Sequence, residues 1–281
     1  AARAADRLAT AGRHAFVRGD LPAAIDLLQR ARQLLSADDP ARANLAPELA
    51  EALIEHGMFA KARTILDDAP AVVEDPVVRC AVARGRLVRL LADLYAGDAE
   101  NWAERAEHEV AGAIAMFEAN DDAAGLATAW RIRFGAQQSA LRYAAAARSA
   151  EAAMRNAEAA GDVRQRRRGA SGYALAALLG PTPVAEALHR AEELYDLVEG
   201  DRATQAAISL SIAQLAAMDG QLERARLAYG AARTMLVELG SLVLAASTSI
   251  DAAPAEMLGG SLESAEAMLR RDDAELAGLG A

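Results

Sequence analysis

The chain has 281 residues, 53% of them hydrophobic but only 4% aromatic, so its apolar content is mainly Ala and Leu, which favour helices and let them approach closely. A net charge of −10 repels nucleic acid and anionic membrane surfaces and argues against either as a direct partner. A lone cysteine, Cys80, excludes an internal disulfide; no run approaches the roughly 18 apolar residues of a membrane span, and the N-terminus has no secretory apolar core, so a cytoplasmic location is expected.

Apolar periodicity and helix breakers predict seven helix pairs. The first covers about Arg3 to Val17 and Pro22 to Leu35, turning at Gly19-Asp20, with Ser36 to Pro40 (through Asp38 and Asp39) as connector. The second covers about Ala41 to His56 and Phe59 to Asp68, followed by a linker bracketed by Pro70 and Pro76. The third, about Val77 to Tyr95 and Glu100 to Glu118, is longer and ends at Asn120-Asp121-Asp122. Cys80, among Val77, Val78, Ala81 and Val82, reads as a buried structural thiol. The fourth pair is about Ala123 to Gln138 and Arg142 to Ala159; the fifth, about Asp162 to Leu179 and Val184 to Val198, turns at Gly180-Pro181-Thr182-Pro183. The sixth is about Arg202 to Asp219 and Leu222 to Leu239, and the seventh ends near Leu279.

A small-residue signature runs through these pairs. Gly12, Gly19, Ala24 and Ala31 have the same spacing as Ala50, Gly57, Ala62 and Ala69, and as Ala213, Gly220, Ala225 and Ala232. A further copy, Ala253, Gly260 and Ala265, ends in Asp272 where the last Ala is due, and reads as a degraded terminal repeat. The turn glycines lie 38 residues apart from Gly19 to Gly57 and 40 from Gly220 to Gly260, a period typical of helical solenoids. Where antiparallel helices cross, a side chain larger than Ala would separate the backbones, while Leu28, Leu66, Tyr229 and Leu269 fill the groove between neighbours.

With Gly, Ala and bulky positions in this order, the chain resembles a tetratricopeptide-repeat (TPR) array of a long-helix variety. The segments Gly19-Asp20-Leu21-Pro22-Ala23-Ala24-Ile25-Asp26-Leu27-Leu28, Gly125 to Arg131, Leu179 to Val184, and Leu269-Arg270-Arg271-Asp272 resemble the C-terminal repeat region of actinobacterial proteins that join a class III adenylate/guanylate cyclase domain to an ATPase module. Related arrays occur in ATP-dependent LuxR-type regulators. The resemblance implies an all-α, right-handed superhelical solenoid of about seven antiparallel helix pairs, residues 1–281 forming one array. It also implies a sensor or interaction arm of a signalling ATPase, bound to a protein or peptide, to the parent's own ATPase module, or to a small acidic ligand. The start at Ala1 rather than Met and the stop at Gly280-Ala281 suggest a piece excised from a larger protein. Alternatives are the arm of a transcriptional regulator and a structural oligomerisation spacer.

Chemistry of its own is not expected. The single lysine, Lys61, is followed by Ala62, so no Walker A loop exists, and His14, His56, His108 and His189 are too scattered to ligate a metal; no cofactor is expected. Ser171 in Gly169-Ala170-Ser171-Gly172 lacks the strand and second glycine of a nucleophile elbow. Trp102, Trp130, Tyr143 and Tyr229 read first as core residues rather than peptide platforms. Of 30 basic residues all but Lys61 are arginine, and the densest run is Arg164-Gln165-Arg166-Arg167-Arg168. A solvated helix face is one reading of it. If first helices line the groove, Arg131 and Gln138 come near Arg164, Arg166, Arg167 and Arg168, whose forked donors suit an acidic partner.

Overall fold

The computed structural model describes residues 2–37, 39–68, 74–98 and 100–279. Ala1, Asp38, Ala69, Pro70 and Gly280-Ala281, invoked above, lie outside the described residues. Among the described residues there is no strand. The helices are α1 (Ala2–Val17), α2 (Leu21–Gln33), α3 (Pro40–Glu55), α4 (Phe59–Asp67), α5 (Pro76–Tyr95), α6 (Trp102–Ala119), α7 (Ala123–Ser139) and α8 (Tyr143–Ala159), followed by α9 (Val163–Leu179), α10 (Val184–Leu197), α11 (Arg202–Met218), α12 (Leu222–Glu238), α13 (Leu242–Ala246), α14 (Ser249–Leu258) and α15 (Leu262–Leu279). The predicted boundaries hold to within two residues. The start of α6 moves from Glu100 to Trp102 because Asn101 adopts a left-handed backbone, φ 51°. No helix of the described residues is long and apolar enough to cross a membrane.

One turn geometry closes most helices. After α1, the Asp20 N–H reaches back to the Ala15 carbonyl at 3.0 Å and the Gly19 N–H to the Phe16 carbonyl at 3.1 Å, a pairing that needs a left-handed residue at Gly19, φ 80°. The same pair of bonds recurs at Gly57, Gly97, Gly161, Gly220, Gly240 and Gly260, and at Asp121 in place of a glycine. The residue that completes the turn then opens the next helix. Asp20, Asp122 and Asp162 each accept an N–H three residues on, from Ala23, Gly125 and Gln165 at 3.1, 2.9 and 2.9 Å. Leu141 departs from the rule: it holds φ 57° as a large, exposed side chain.

The small positions pack as the spacing requires. Gly12, Ala24, Ala31, Ala50, Ala62, Ala213, Ala225, Ala232 and Ala265 are all buried, while the turn glycines Gly19, Gly57, Gly220 and Gly260 are exposed. A Cβ on Gly12 would stand 2.9 Å from Leu28 Cγ and 3.3 Å from the Leu28 backbone nitrogen. Leu28, Leu66 and Tyr229 are buried as expected. Leu269 is not: it is 44% exposed, because no further helix pair among the described residues covers α15. Cys80 is buried, and that burial raises its thiol pKa. Trp102 is core, donating its indole N–H to the Leu90 carbonyl at 2.7 Å, and the buried Tyr229 donates its hydroxyl to the Asp251 carbonyl at 2.6 Å. Trp130 and Tyr143 are half-buried.

Contacts divide the chain into two compact units, residues 1–141 with 152–166, and residues 142–151 with 167–281. In the first, Leu28, Leu45, Leu49, Leu53, Leu66 and Val88 build one core cluster; Leu87, Leu90, Trp102, Val110, Phe117 and Ile132 build another. In the second unit, Ala206, Met235, Leu236 and Ala245 cluster together.

The seventh pair is where the second unit departs from the repeat. Its first helix is broken into α13 and α14: the Ser247 and Thr248 hydroxyls donate to the Val243 and Ala245 carbonyls, and Arg233 donates to the Ala245 carbonyl as well. The Val243 carbonyl keeps its helical N–H from Ser247, but the Ala245 carbonyl, capped by Thr248 and Arg233, no longer receives the Ser249 N–H that a continuous helix would supply. The break frees the Ser249 N–H, which donates to Asp272 Oδ2 at 3.0 Å, while Arg271 Nε and Arg233 Nη1 hold Oδ1 at 2.9 and 3.1 Å. Asp272 is 1% exposed. Far from marking a decayed copy, the aspartate in the place of Ala supplies the acceptor that the broken helix needs.

Burial alone would raise the Asp272 carboxyl pKa, but the bonds from Arg271 and Ser249 and the charge of Arg233 overrule it and the net shift is downward. The carboxylate therefore stabilises the fold above the ordinary aspartate range, and that contribution is lost as pH falls through the ordinary value toward the lowered one. Asp272→Ala, although it restores the repeat signature, is expected to cost about 2–3 kcal/mol in urea unfolding at neutral pH. Asp272→Asn should flatten the acid limb of the stability curve. Leu141→Gly should stabilise the first unit by up to about 1 kcal/mol by relieving the left-handed strain, read as a higher urea midpoint.

Candidate functional site

Helix α3 collects the polar side chains of the first unit. Its Leu45, Leu49, Leu53 and Ile54 are buried, yet Asn44, Glu48, Glu51 and Glu55 follow one another at i, i+4, i+7 and i+11, the spacing of a single helical face. Each of these side chains meets an arginine from a different helix. Asn44 accepts from Arg84 Nη2 of α5 at 2.6 Å. Glu48 takes the fork of Arg13 from α1, Nε at 2.7 Å and Nη2 at 3.0 Å. Glu51 accepts from Arg131 Nη2 of α7 at 2.6 Å, and Glu55 pairs with Arg164 of α9.

The two last rungs are drier than the Glu48–Arg13 rung, whose side chains are 28% and 48% exposed. Side chains of Arg131 and Glu51 are 15% and 16% exposed, those of Arg164 and Glu55 21% and 19%. The Arg164 guanidinium also lies 3.7 Å from the centre of the Phe16 ring and donates to the Phe16 carbonyl at 3.2 Å, which ties the end of α1 to the start of α9. Asp162 stands beside these rungs. Burial, then the negative charge of Glu51, raises its carboxyl pKa, against the pull of Arg131 and the N–H groups of Gln165 and Arg164. Gln165, buried next to it, donates from Nε2 to Thr128 Oγ1 at 3.4 Å.

The arginines singled out from sequence go to different acids. Arg131 and Arg164 are brought together by neighbouring rungs of α3, whereas Arg166 pairs with Glu158 at 3.4 Å and Arg167 with Asp201 at 3.6 Å. Arg168 is half-buried in α9, and Gln138 is half-buried in α7, seven residues beyond Arg131. Sequence reasoning passed over Arg13, Glu48, Glu51 and Glu55. Their signal was the Asn-x3-Glu-x2-Glu-x3-Glu spacing on a helix whose other faces are apolar. Chemically, the ladder offers guanidinium forks already aimed at carboxylates, so an acidic group from outside would exchange for Glu51 or Glu55 rather than meet bare charge. Among the described residues no group of three His, Cys, Asp or Glu side chains is placed to hold a metal ion.

Comparison with known proteins agrees with this architecture. A model of the tetratricopeptide repeat family matches residues 15–85, the segment from the end of α1 into α5. No curated protein sequence matches the chain. Among solved structures, the apo form of RapI is similar over 98% of this chain and 98% of its own, with 12% identity and a TM-score of 0.62. A signal transduction ATPase with numerous domains that carries a tetratricopeptide repeat sensor, PH0952 from Pyrococcus horikoshii, is similar over 95% of this chain, with 16% identity and a TM-score of 0.59. The chain spans 41% of that ATPase. At these identities the likeness shows the fold, and the fold is an all-α tetratricopeptide-like solenoid.

Glu51→Ala removes the Glu51 carboxylate from the partly buried Arg131 and is expected to cost about 2–3 kcal/mol in denaturant unfolding. The double substitution Glu51→Leu/Arg131→Met should recover most of that loss, because neither charge then has to be desolvated. A double variant as unstable as the single one would show that packing, not charge, governs the rung.

Proposed function

We infer that residues 1–281 act as one non-catalytic sensor or interaction array of a cytoplasmic signalling ATPase, in the manner of a cyclase–ATPase protein. The side of the first unit lined by α1, α3, α5, α7 and α9 is its recognition surface. The ladder on α3 carries the reading. Five first helices of the pairs direct charged and polar side chains to one line, which gives an extended peptide or a protein segment a row of directional partners and no apparatus for bond chemistry. An acidic side chain or C-terminal carboxylate from the partner takes the place of Glu51 or Glu55 on Arg131 and Arg164, with Gln138 and Arg166 flanking. The likeness to PH0952, a signal transduction ATPase with a tetratricopeptide repeat sensor, supports the assignment of the parent.

The gene that encodes residues 1–281 is accordingly expected to encode an adjoining nucleotide-binding module with a Gly-Lys-Ser/Thr phosphate loop. Removing residues 1–281 from that protein should change its rate of ATP hydrolysis several-fold. A parent without such a loop, or equal rates with and without the array, would overturn the reading.

A further inference from the structure

The second unit holds a feature that the α3 ladder does not touch. Between α12, α14 and α15 lies a pocket of about 130 Å³, its apolar wall made by Leu222, Ala225, Tyr229, Ala252, Ala255 and Met268. The space exists because the facing side chains are small. Thr248, Ala252 and Ala255 follow one another at i, i+4 and i+7 at the start of and along α14, and on α12 the same spacing joins Arg226, Gly230 and Arg233, which puts an exposed glycine between two long side chains at the mouth. That glycine is out of keeping with the repeat. Ten residues after the turn glycines Gly19, Gly57 and Gly260 stand Gln29, Asp67 and Arg270, all exposed, whereas ten after Gly220 stands Gly230. In a helix interior glycine is disfavoured against alanine, and packing does not require it here, because a Cβ would meet no atom within 4 Å. The missing side chain keeps the mouth open.

Charge around the pocket is balanced. Arg226 forks onto the buried Glu256, Nε at 2.7 Å and Nη2 at 2.8 Å, and its Nη1 reaches Glu223. Arg233 and Arg271 share Asp272, with Nη1 of the first at 3.1 Å and Nη2 of the second at 2.8 Å from Oδ1, and both also approach Glu275. The Tyr229 hydroxyl is engaged with the Asp251 carbonyl and the Thr248 hydroxyl with the Ala245 carbonyl. A ligand with a net charge would meet no unpaired counter-ion and would lose its hydration without return. The ion pairs occupy the edges of the guanidiniums, however, and a guanidinium offers its flat faces to a ring; the Met268 thioether and the Tyr229 ring are polarisable surfaces of the same kind.

We propose that this pocket binds a small neutral aromatic molecule, its single ring among Leu222, Met268 and the face of Arg226 and its polar substituent pointing out past Gly230. An enclosed apolar cavity of about 150 Å³ takes up benzene. The pocket here is slightly smaller but open at the glycine, so it holds one ring with the substituent outside. The paired charges select a neutral ligand, and the guanidinium faces select a flat one. Because α12 belongs to the sixth pair and α14 and α15 to the seventh, an occupied pocket ties the interrupted last pair to the one before it and stabilises that end of the array.

Calorimetric titration of residues 1–281 at neutral pH with phenol, benzoate and cyclohexanol tests the assignment. Phenol, uncharged under these conditions, is expected to bind saturably and one-to-one; benzoate should bind at least about tenfold more weakly for its charge, and cyclohexanol at least about threefold more weakly because its ring is not flat. Gly230→Leu, which lays a side chain across the mouth, should weaken phenol binding at least about tenfold. Gly230→Ala should keep phenol binding and raise the urea midpoint, since alanine is the better helix former. Absence of saturable phenol binding, benzoate or cyclohexanol binding as tightly as phenol, or an unchanged phenol affinity in Gly230→Leu overturns the proposal. The α3 ladder belongs to the other unit, and none of these outcomes bears on it.

Discussion

The two-residue turn between helices is the constraint on which the rest depends. A left-handed glycine lets two N–H groups satisfy the carbonyls at the end of one helix, and the next residue, frequently aspartate, satisfies an N–H at the start of the following one. Two carbonyls at one helix end and one N–H at the next are thus satisfied within very little chain, and the helices must run antiparallel. Once they do, their backbones cross at fixed distances from each turn. That is why the small residues stand at fixed offsets from the glycines, and why Gly12, which faces the Leu28 backbone, has so little room.

Arginine does most of the remaining specifying. In an array of Ala-rich helices the apolar contacts are shallow and nearly alike, so packing alone discriminates weakly between one helix neighbour and another. Directional pairs discriminate well. The rungs of α3 assign a separate arginine to each of Asn44, Glu48, Glu51 and Glu55, and Asp272 selects Arg233, Arg271 and the freed N–H of Ser249. Buried pairs of this kind add modest net stability, but each is costly to break once made, which favours one register over its alternatives.

Much of this was legible from residue spacing, and the exceptions are instructive. Helix positions and turn residues follow from local rules, so Gly19, Gly57 and Gly220 could be placed at turns and Ala31, Ala62 and Ala232 in the core. The arginine run 164–168 was visible as a dense charge, but not its partition among Glu55, Glu158 and Asp201, since ion pairing depends on which helices become neighbours. Asp272 misled for the same reason. A position in a repeat reports its own helix, whereas its value there came from the interruption between α13 and α14 and from Arg233 on α12.

The sequence by itself determined the helices, the turns that end them and the small-residue crossings, because these are settled by backbone conformation and by contacts within one repeat. Tertiary structure decided which charges meet. The α3 ladder joins residues as far apart as Arg164 and Glu55. Electrostatic partners and open volume are properties of assembled helices, and no single helix carries them.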